Sequence, residues 1–232
     1  MLPIQRIPYH VICFGLQWLC IMLFRTRIIG MRNVPKRRGV LLVCNHQSFM
    51  DPVLAGMALG IYREGNYMAR DSLFHPKWFG KLISYLNTFP VKRGTADLTA
   101  IKEAMRRLKQ GRVVLVFPEG TRSPDGRITP MLAGLATFAK KCEVPVVPVL
   151  VDGMAQAWPR HQLLPRRGDV IVQYDKAIWP AEYASMSAEE LTQTIRQRIV
   201  RMQTELHRRV PWRRLEWYGQ PDGCQAEKEA EC

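Results

Sequence analysis

His46 and Asp51 stand five residues apart in Asn45-His46-Gln47-Ser48-Phe49-Met50-Asp51, a stretch that also carries two amides and a hydroxyl. On one straight helix that spacing turns two side chains about 140° away from each other, so they cannot pair there. If His46 lies in a strand-to-helix turn and Asp51 in the first helical turn, the carboxylate can fold back and accept the imidazole Nδ1 proton. Nε2 is then free to take a proton from a hydroxyl, which is the arrangement of an oriented general base. The competing structural reading makes Asp51 a helix cap. Cys44, two residues before His46, raises a covalent alternative in which a thiol carries the transferred group. It ends an apolar run, and nothing near it in the sequence would lower its pKa, so a buried, inert thiol is expected.

Three further segments carry chemical potential. Phe117-Pro118-Glu119-Gly120-Thr121-Arg122-Ser123 joins a rigid proline, a flexible glycine, two hydroxyls and an arginine fork. Arg122 can hold a phosphate bidentately, with N–H groups around Gly120 and the Thr121 hydroxyl as further donors. Each hydrogen bond to a charged partner is worth about 1.5–3 kcal/mol, so a few of them fix a phosphate without covalent help. The following Pro124-Asp125-Gly126 reads as a turn. Val91-Lys92-Arg93-Gly94 places two cations at the end of a short strand, and alone it is no more than a solvated charged turn. Val144-Pro145-Val146-Val147-Pro148-Val149 is an apolar strand whose prolines bar ordinary central pairing at two places.

The elements that must position these residues alternate. Val40–Cys44, Tyr67–Ala69, Val113–Phe117, Val146–Val151 and Gly168–Tyr174 read as strands, with Thr88–Val91 between two helical segments. Helical patterns cover Pro52–Leu59, Lys77–Leu86, Ala96–Lys109, Leu132–Lys141 and Ser187–Arg209. Gly111 fits the position just past a helix end, and Ser187 with Glu190 fits a capping box. Strands separated by helices indicate an α/β fold, a mostly parallel sheet flanked by helices. Ligand sites of such sheets gather beyond the carboxyl ends of strands, and the chemical segments sit just beyond predicted strands or in loops.

Ile7–Phe24 is almost wholly apolar and is followed at once by Arg25 and Arg27. Roughly 20 apolar residues make a comfortable span, so this stretch suits a helix lying in or half inserted into a membrane interface. A secretory signal is a poorer reading, because only Arg6 precedes the run and no small-residue cleavage site follows it. The expected organisation is a membrane-interfacial helical segment over 1–30, a catalytic domain over 31–212 and a mobile tail over 213–232. Lysine and arginine outnumber aspartate and glutamate 34 to 20, so the surface attracts anions. Lys36, Arg37, Arg38, Arg208, Arg209, Arg213 and Arg214 are candidates for contact with an anionic leaflet. A nucleic-acid partner is not expected, since the chain has no aromatic-flanked basic motif, zinc-finger spacing or helix-turn-helix signature. The six cysteines form no CxxC pair and no metal-ligand spacing, so no metal site is expected.

Taken in order and at their separations, the four segments from Asn45 to Val149 resemble the glycerolipid acyltransferase family, which includes 1-acylglycerol-3-phosphate acyltransferases. Asn45 to Asp51 is similar to that family's His-four-residues-Asp motif, and Phe117 to Ser123 matches its Phe-Pro-Glu-Gly-Thr-Arg-Ser motif without a departure. The resemblance implies that His46 is a general base and Asp51 its partner. It implies that Glu119, Gly120, Thr121 and Arg122 belong to the acceptor site, with Arg93 as a second phosphate ligand and Arg70 as another cation lining it. It also implies a thioester co-substrate, acyl-coenzyme A or acyl carrier protein, no cofactor, a lysolipid acceptor, and a peripheral or monotopic place on the cytoplasmic face of a membrane. Other acceptors, such as glycerol 3-phosphate, another lysophospholipid or lyso-ornithine lipid, remain open, as does a non-catalytic lipid-binding role.

Overall fold

Valine and leucine runs without polar interruption form strands that are buried on both faces, because a parallel sheet is covered by helices on each side. The computed structural model describes residues 7–59, 63–92, 97–159 and 162–209. Its strands are β1 (Arg27–Ile29), β2 (Val40–Cys44), β3 (Gly65–Arg70), β4 (Thr88–Val91), β5 (Val113–Val116), β6 (Val146–Asp152) and β7 (Ile171–Tyr174). Its helices are α1 (Ile7–Phe24), α2 (Asp51–Ala55), α3 (Lys77–Tyr85), α4 (Leu98–Lys109), α5 (Ala136–Cys142), α6 (Met154–Ala157), α7 (Pro180–Tyr183) and α8 (Ala188–Arg209). They make one sheet in the order β1-β7-β6-β2-β5-β3-β4. From β6 to β4 every pairing is parallel; β7 runs antiparallel to β6, and β1 follows β7 in parallel.

Alternation along β2 divides the core. Leu41 and Val43 point to one face, where Val114, Val116 and Leu150 meet Leu108 of α4, Phe138 of α5 and Ile195 and Ile199 of α8. Val40, Leu42 and Cys44 point to the other, where Leu115, Val147 and Val149 meet Phe24 of α1, Leu54 of α2 and Met154 of α6. The three-layer α/β arrangement anticipated from the pattern is therefore present.

Local chemistry sets the boundaries. Asp97 starts α4 by accepting from Thr99 N and Ala100 N, and Gly111, at φ +78°, closes its end with a bond to Leu108 O. Ser187 and Glu190 exchange bonds, Glu190 N to Ser187 Oγ at 3.0 Å and Ser187 N to Glu190 Oε2 at 2.6 Å, so the capping box of α8 is made. The single helix expected over Pro52–Leu59 instead stops at Gly56, and Met57–Leu59 forms a separate tight turn. Likewise Ala133–Leu135 is a tight 3₁₀ turn that leads into α5. Pro148 sits in a central strand without penalty. Its missing N–H falls just past the end of β7, where only Asp175 N to Pro148 O (3.0 Å) is made, and pairing resumes between Val146 and Ile178.

Helix α1 is long and apolar enough to cross a membrane by length and composition, yet only 17% of it is buried in the protein. Tyr9, Cys20 and Phe24 are its buried residues, and Val170 N donates to Phe24 O where the chain turns into β1. The expected tail over 213–232 lies outside the described residues.

Ile199 is fully buried between α8 and the sheet. Ile199→Ala should cost about 2–5 kcal/mol of folding stability and lower the thermal unfolding midpoint. A midpoint equal to that of the parent chain would contradict this packing.

Candidate active site

Because β6, β2, β5, β3 and β4 are parallel, they all deliver their last residues to one edge of the sheet. Asp152, Asn45-His46, Phe117-Pro118-Glu119, Arg70 and Lys92 line that edge in strand order. β2 and β5 are neighbours, so the turn after β2 and the segment after β5 lie against each other. Backbone bonds of His46 join them: His46 N donates to Glu119 Oε1 at 3.0 Å, and Ser123 N donates to His46 O at 2.7 Å.

The fold-back anticipated for Asp51 is made. Asp51 opens α2 and is fully buried, and its Oδ2 receives His46 Nδ1 at 2.8 Å, Gln47 N at 2.6 Å and Ser48 N at 2.7 Å. Its carboxylate thus reaches back to the turn and does not cap α2. A carboxylate facing Nδ1 calls for the proton on that nitrogen, which leaves the lone pair on Nε2. The ring is stacked on Phe117 with centroids 4.2 Å apart. The imidazole side chain is 15% exposed, and among the described residues Nε2 has no hydrogen-bond partner. Such a group can accept a proton from a molecule entering the cleft.

Behind the imidazole lies a polar scaffold that sequence reasoning left unassigned. Asn45 extends β2 with its side chain: Nδ2 donates to Val151 O at 2.9 Å and Oδ1 accepts from Val151 N at 2.8 Å. Gln47 Oε1 accepts from Met154 N and Ala155 N, and its Nε2 donates to Gly126 O. Gln203 Nε2 on α8 donates to that same Gly126 carbonyl at 3.0 Å and to Asp152 Oδ1 at 3.1 Å. The Asp152 carboxylate also faces His207 Nε2 at 3.1 Å. The one sequence signal was a polar pair, Gln203 and His207, one turn apart on the same side of α8 as Ile199, Met202 and Leu206. A glutamine and a histidine on a buried helical stripe need partners.

In the segment after β5, Glu119 is buried and both its oxygens are occupied. Oε1 holds His46 N, while Oε2 accepts from Thr129 Oγ1 at 2.5 Å and Thr129 N at 3.4 Å. Burial pushes its carboxyl above the usual carboxylate range, and those hydrogen bonds pull it back. Glu119, which the resemblance places in the acceptor site, faces inward here and steadies the His46 backbone. Gly120 has φ +69° and its N–H closes a turn onto Phe117 O, a conformation that favours glycine. Gly120 and Thr121 are exposed, and the Arg122 guanidinium lies 3.7 Å over the Phe49 ring. Phe49, 57% exposed, comes from the His46 turn, so a cation–π contact ties the two chemical segments together at the surface. The proline-aspartate-glycine turn is present too, with Gly126 N bonded to Ser123 Oγ at 3.0 Å. Arg70 is exposed at the end of β3, two strands from β2. Arg93, the expected second phosphate ligand, lies outside the described residues.

Cys44 points into the core on the α2 side and is fully buried, and that burial pushes its thiol well above its ordinary value. The thiolate is the nucleophilic form, so this sulfur is suppressed as an acyl carrier.

A family model described as "Acyltransferase" matches residues 25–152. The chain is 27% identical over 184 residues to the 1-acyl-sn-glycerol-3-phosphate acyltransferase of Bacillus subtilis strain 168, covering 78% of this chain and 89% of that protein. It is 33% identical over 160 residues to the chloroplastic 1-acyl-sn-glycerol-3-phosphate acyltransferase BAT2 of Brassica napus, covering 67% of this chain but 46% of that one. The chain thus spans most of the Bacillus protein and about half the length of the Brassica one. Among solved structures, the 1-acyl-sn-glycerophosphate (LPA) acyltransferase PlsC from Thermotoga maritima superposes with a TM-score of 0.68 at 29% identity, covering 85% of this chain and 79% of that one.

Two outcomes follow from the site's construction. Asn45→Ala would leave the buried Val151 N–H and C=O without partners, at a cost of about 1–3 kcal/mol for each, seen as a lower unfolding midpoint. Native protein at mildly alkaline pH should resist iodoacetamide at Cys44 until it is denatured; rapid alkylation of that residue in the folded state would refute the buried, protonated thiol.

Proposed function

The chain belongs to the acyltransferase family, and from that premise we propose that it moves a fatty acyl group from a thioester to the free hydroxyl of 1-acylglycerol-3-phosphate, giving phosphatidic acid. The observation that carries this is the His46–Asp51 pair at 2.8 Å, with Nε2 turned to the cleft beside the Arg122 segment. Similarity to proteins named for this activity supports the choice of acceptor.

A lipid hydroxyl is a poor nucleophile. His46 Nε2 removes its proton as the oxygen attacks the thioester carbonyl, so no free alkoxide forms. Asp51 keeps Nδ1 protonated and stabilises the imidazolium that results. The tetrahedral intermediate then expels the thiolate, the C–S bond breaks, and the proton held by His46 passes to the departing sulfur. The acyl group ends on the lipid oxygen as an ester. Glu119 and Ser123 hold the His46 backbone from both sides, so the imidazole need not be ordered at the moment of reaction.

Arg122 holds the acceptor phosphate, with Arg70, at the end of β3 on the same edge, and Arg93 as further cations. The Arg122 guanidinium lies over the Phe49 ring beside the His46 turn, and its planar fork suits bidentate phosphate contact. The donor is acyl-coenzyme A or acyl carrier protein, both acidic and both suited to a chain of net charge +14. No cofactor enters any step. Because acceptor and product are lipids, the enzyme works as a peripheral or monotopic protein at the cytoplasmic face of a membrane, anchored through α1 and attracted by its basic surface.

The test is transfer of labelled acyl chains from each donor to several lysolipids, with the product identified by mass spectrometry. Phosphatidic acid should form fastest from 1-acylglycerol-3-phosphate. His46→Ala should lower kcat by about 10²–10⁴-fold or more, whereas Cys44→Ala keeps most activity. Arg122→Ala should raise the KM for the phosphate-bearing acceptor more than it lowers kcat. Full activity in His46→Ala together with loss in Cys44→Ala would move the chemistry to an acyl-enzyme.

A further inference from the structure

Helix α3 carries two apolar stripes, and only one of them is partly covered by the protein. Phe79, Ile83 and Leu86 are half-buried at helical spacing, and Gly80 packs directly against the backbone of Phe74. On the outer side, Trp78, Leu82 and Tyr85 fall at i, i+4 and i+7 and are all exposed, Trp78 by 73%. Lys77 and Lys81, also exposed, run beside that outer stripe. Scattered exposed leucines need no explanation, but a row of tryptophan, leucine and tyrosine edged by lysines on one helix does.

The neighbour of this stripe is α1. Tyr85 at the end of α3 meets Tyr9 of α1 with ring centroids 6.4 Å apart, and Tyr9 is itself buried. The outer face of α3 is therefore continuous with a helix that is apolar on every side and exposes Val11, Phe14, Trp18, Leu19 and Met22. A helix greasy all round and left mostly uncovered fits a hydrocarbon boundary better than a shaped protein groove. Tryptophan and tyrosine favour the headgroup level, and lysines extend their amines to anionic headgroups.

We propose that the outer face of α3, Trp78, Leu82 and Tyr85 with Lys77 and Lys81, is a second bilayer-docking element that seats beside α1 in an anionic leaflet. It rests on the membrane association proposed above and adds to it an element inside the catalytic domain. The topology gives this contact a use. α3 follows β3, whose carboxyl end bears Arg70, so the Trp78 end of α3 lies toward the edge that carries His46 and Arg122. Docking at that end holds the mouth of the site at headgroup depth, where a lysolipid can present its hydroxyl and phosphate without leaving the bilayer. An anchor made of α1 alone would leave the catalytic domain free to tilt away.

The test uses the full chain and vesicles of phosphatidylcholine, with and without phosphatidylglycerol, and measures the lipid needed for half-maximal cosedimentation. Trp78→Ser/Leu82→Ser should require about tenfold more lipid than the parent, with an unchanged melting temperature because both residues are at the surface. Lys77→Gln/Lys81→Gln should weaken binding to the phosphatidylglycerol vesicles by about tenfold and leave binding to pure phosphatidylcholine unchanged. Val11→Ser/Trp18→Ser, on the exposed side of α1, serves as the separate control. If the α3 variants bind like the parent while the α1 variant does not, α3 faces water and the inference is overturned, with membrane association through α1 intact. If the parent chain itself ignores both vesicle types, membrane association falls and α3 docking with it.

Discussion

One oxygen of Asp51, a fully buried residue, receives three donors, the imidazole Nδ1 of His46 and the backbone N–H groups of Gln47 and Ser48. A buried carboxylate is tolerated only when its charge is met by such bonds, and here the bonds also fix the His46 imidazole. The turn after β2, the start of α2 and the tautomer of His46 are consequently parts of one interaction. Removing the carboxylate would release the ring and leave two buried N–H groups unpaired together. Fold and chemistry share the same three bonds at this point.

Around that centre, polar contacts take over where the apolar core stops. The Gly126 carbonyl receives Gln47 from one side and Gln203 from the other, so the turn after β5, the histidine turn and α8 meet at a single oxygen. Asn45 imitates a strand residue and lashes the end of β2 to Val151. Satisfied networks of this kind are rigid, since moving any member strands the others in a low dielectric. On the solvent side the contact is of another kind: the Arg122 guanidinium lies over the exposed Phe49 ring.

The strands were legible because a parallel sheet buried on both faces demands unbroken apolar runs, and Val40–Cys44 matches the structure residue for residue. β1 was not, because three residues are too few to show a period; it joins the sheet by pairing with β7. The helix begun at Asp51 ends early because Gly56 closes it, a local event that hydrophobic spacing does not report. In the site, His46, Asp51 and the Phe117–Ser123 segment were readable because each sits in a short stretch of unusual composition beside a strand end. The junction of Gln47, Gly126, Asp152, Gln203 and His207 was not, since its members are dispersed along the chain and meet only after folding. Glu119 shows the remaining difficulty: a motif says that a residue matters, while only its contacts reveal that it braces a backbone.

At the centre of the account is an imidazole protonated on Nδ1 and bare on Nε2. The most direct measurement is the ¹⁵N NMR spectrum of the His46 side chain near neutral pH, in the parent chain and in Asp51→Asn. The neutral ring should give a protonated Nδ1 signal and an unprotonated Nε2 signal in the parent, with that preference weakened or reversed in the variant. A parent spectrum with the proton on Nε2, unchanged by the substitution, would contradict it.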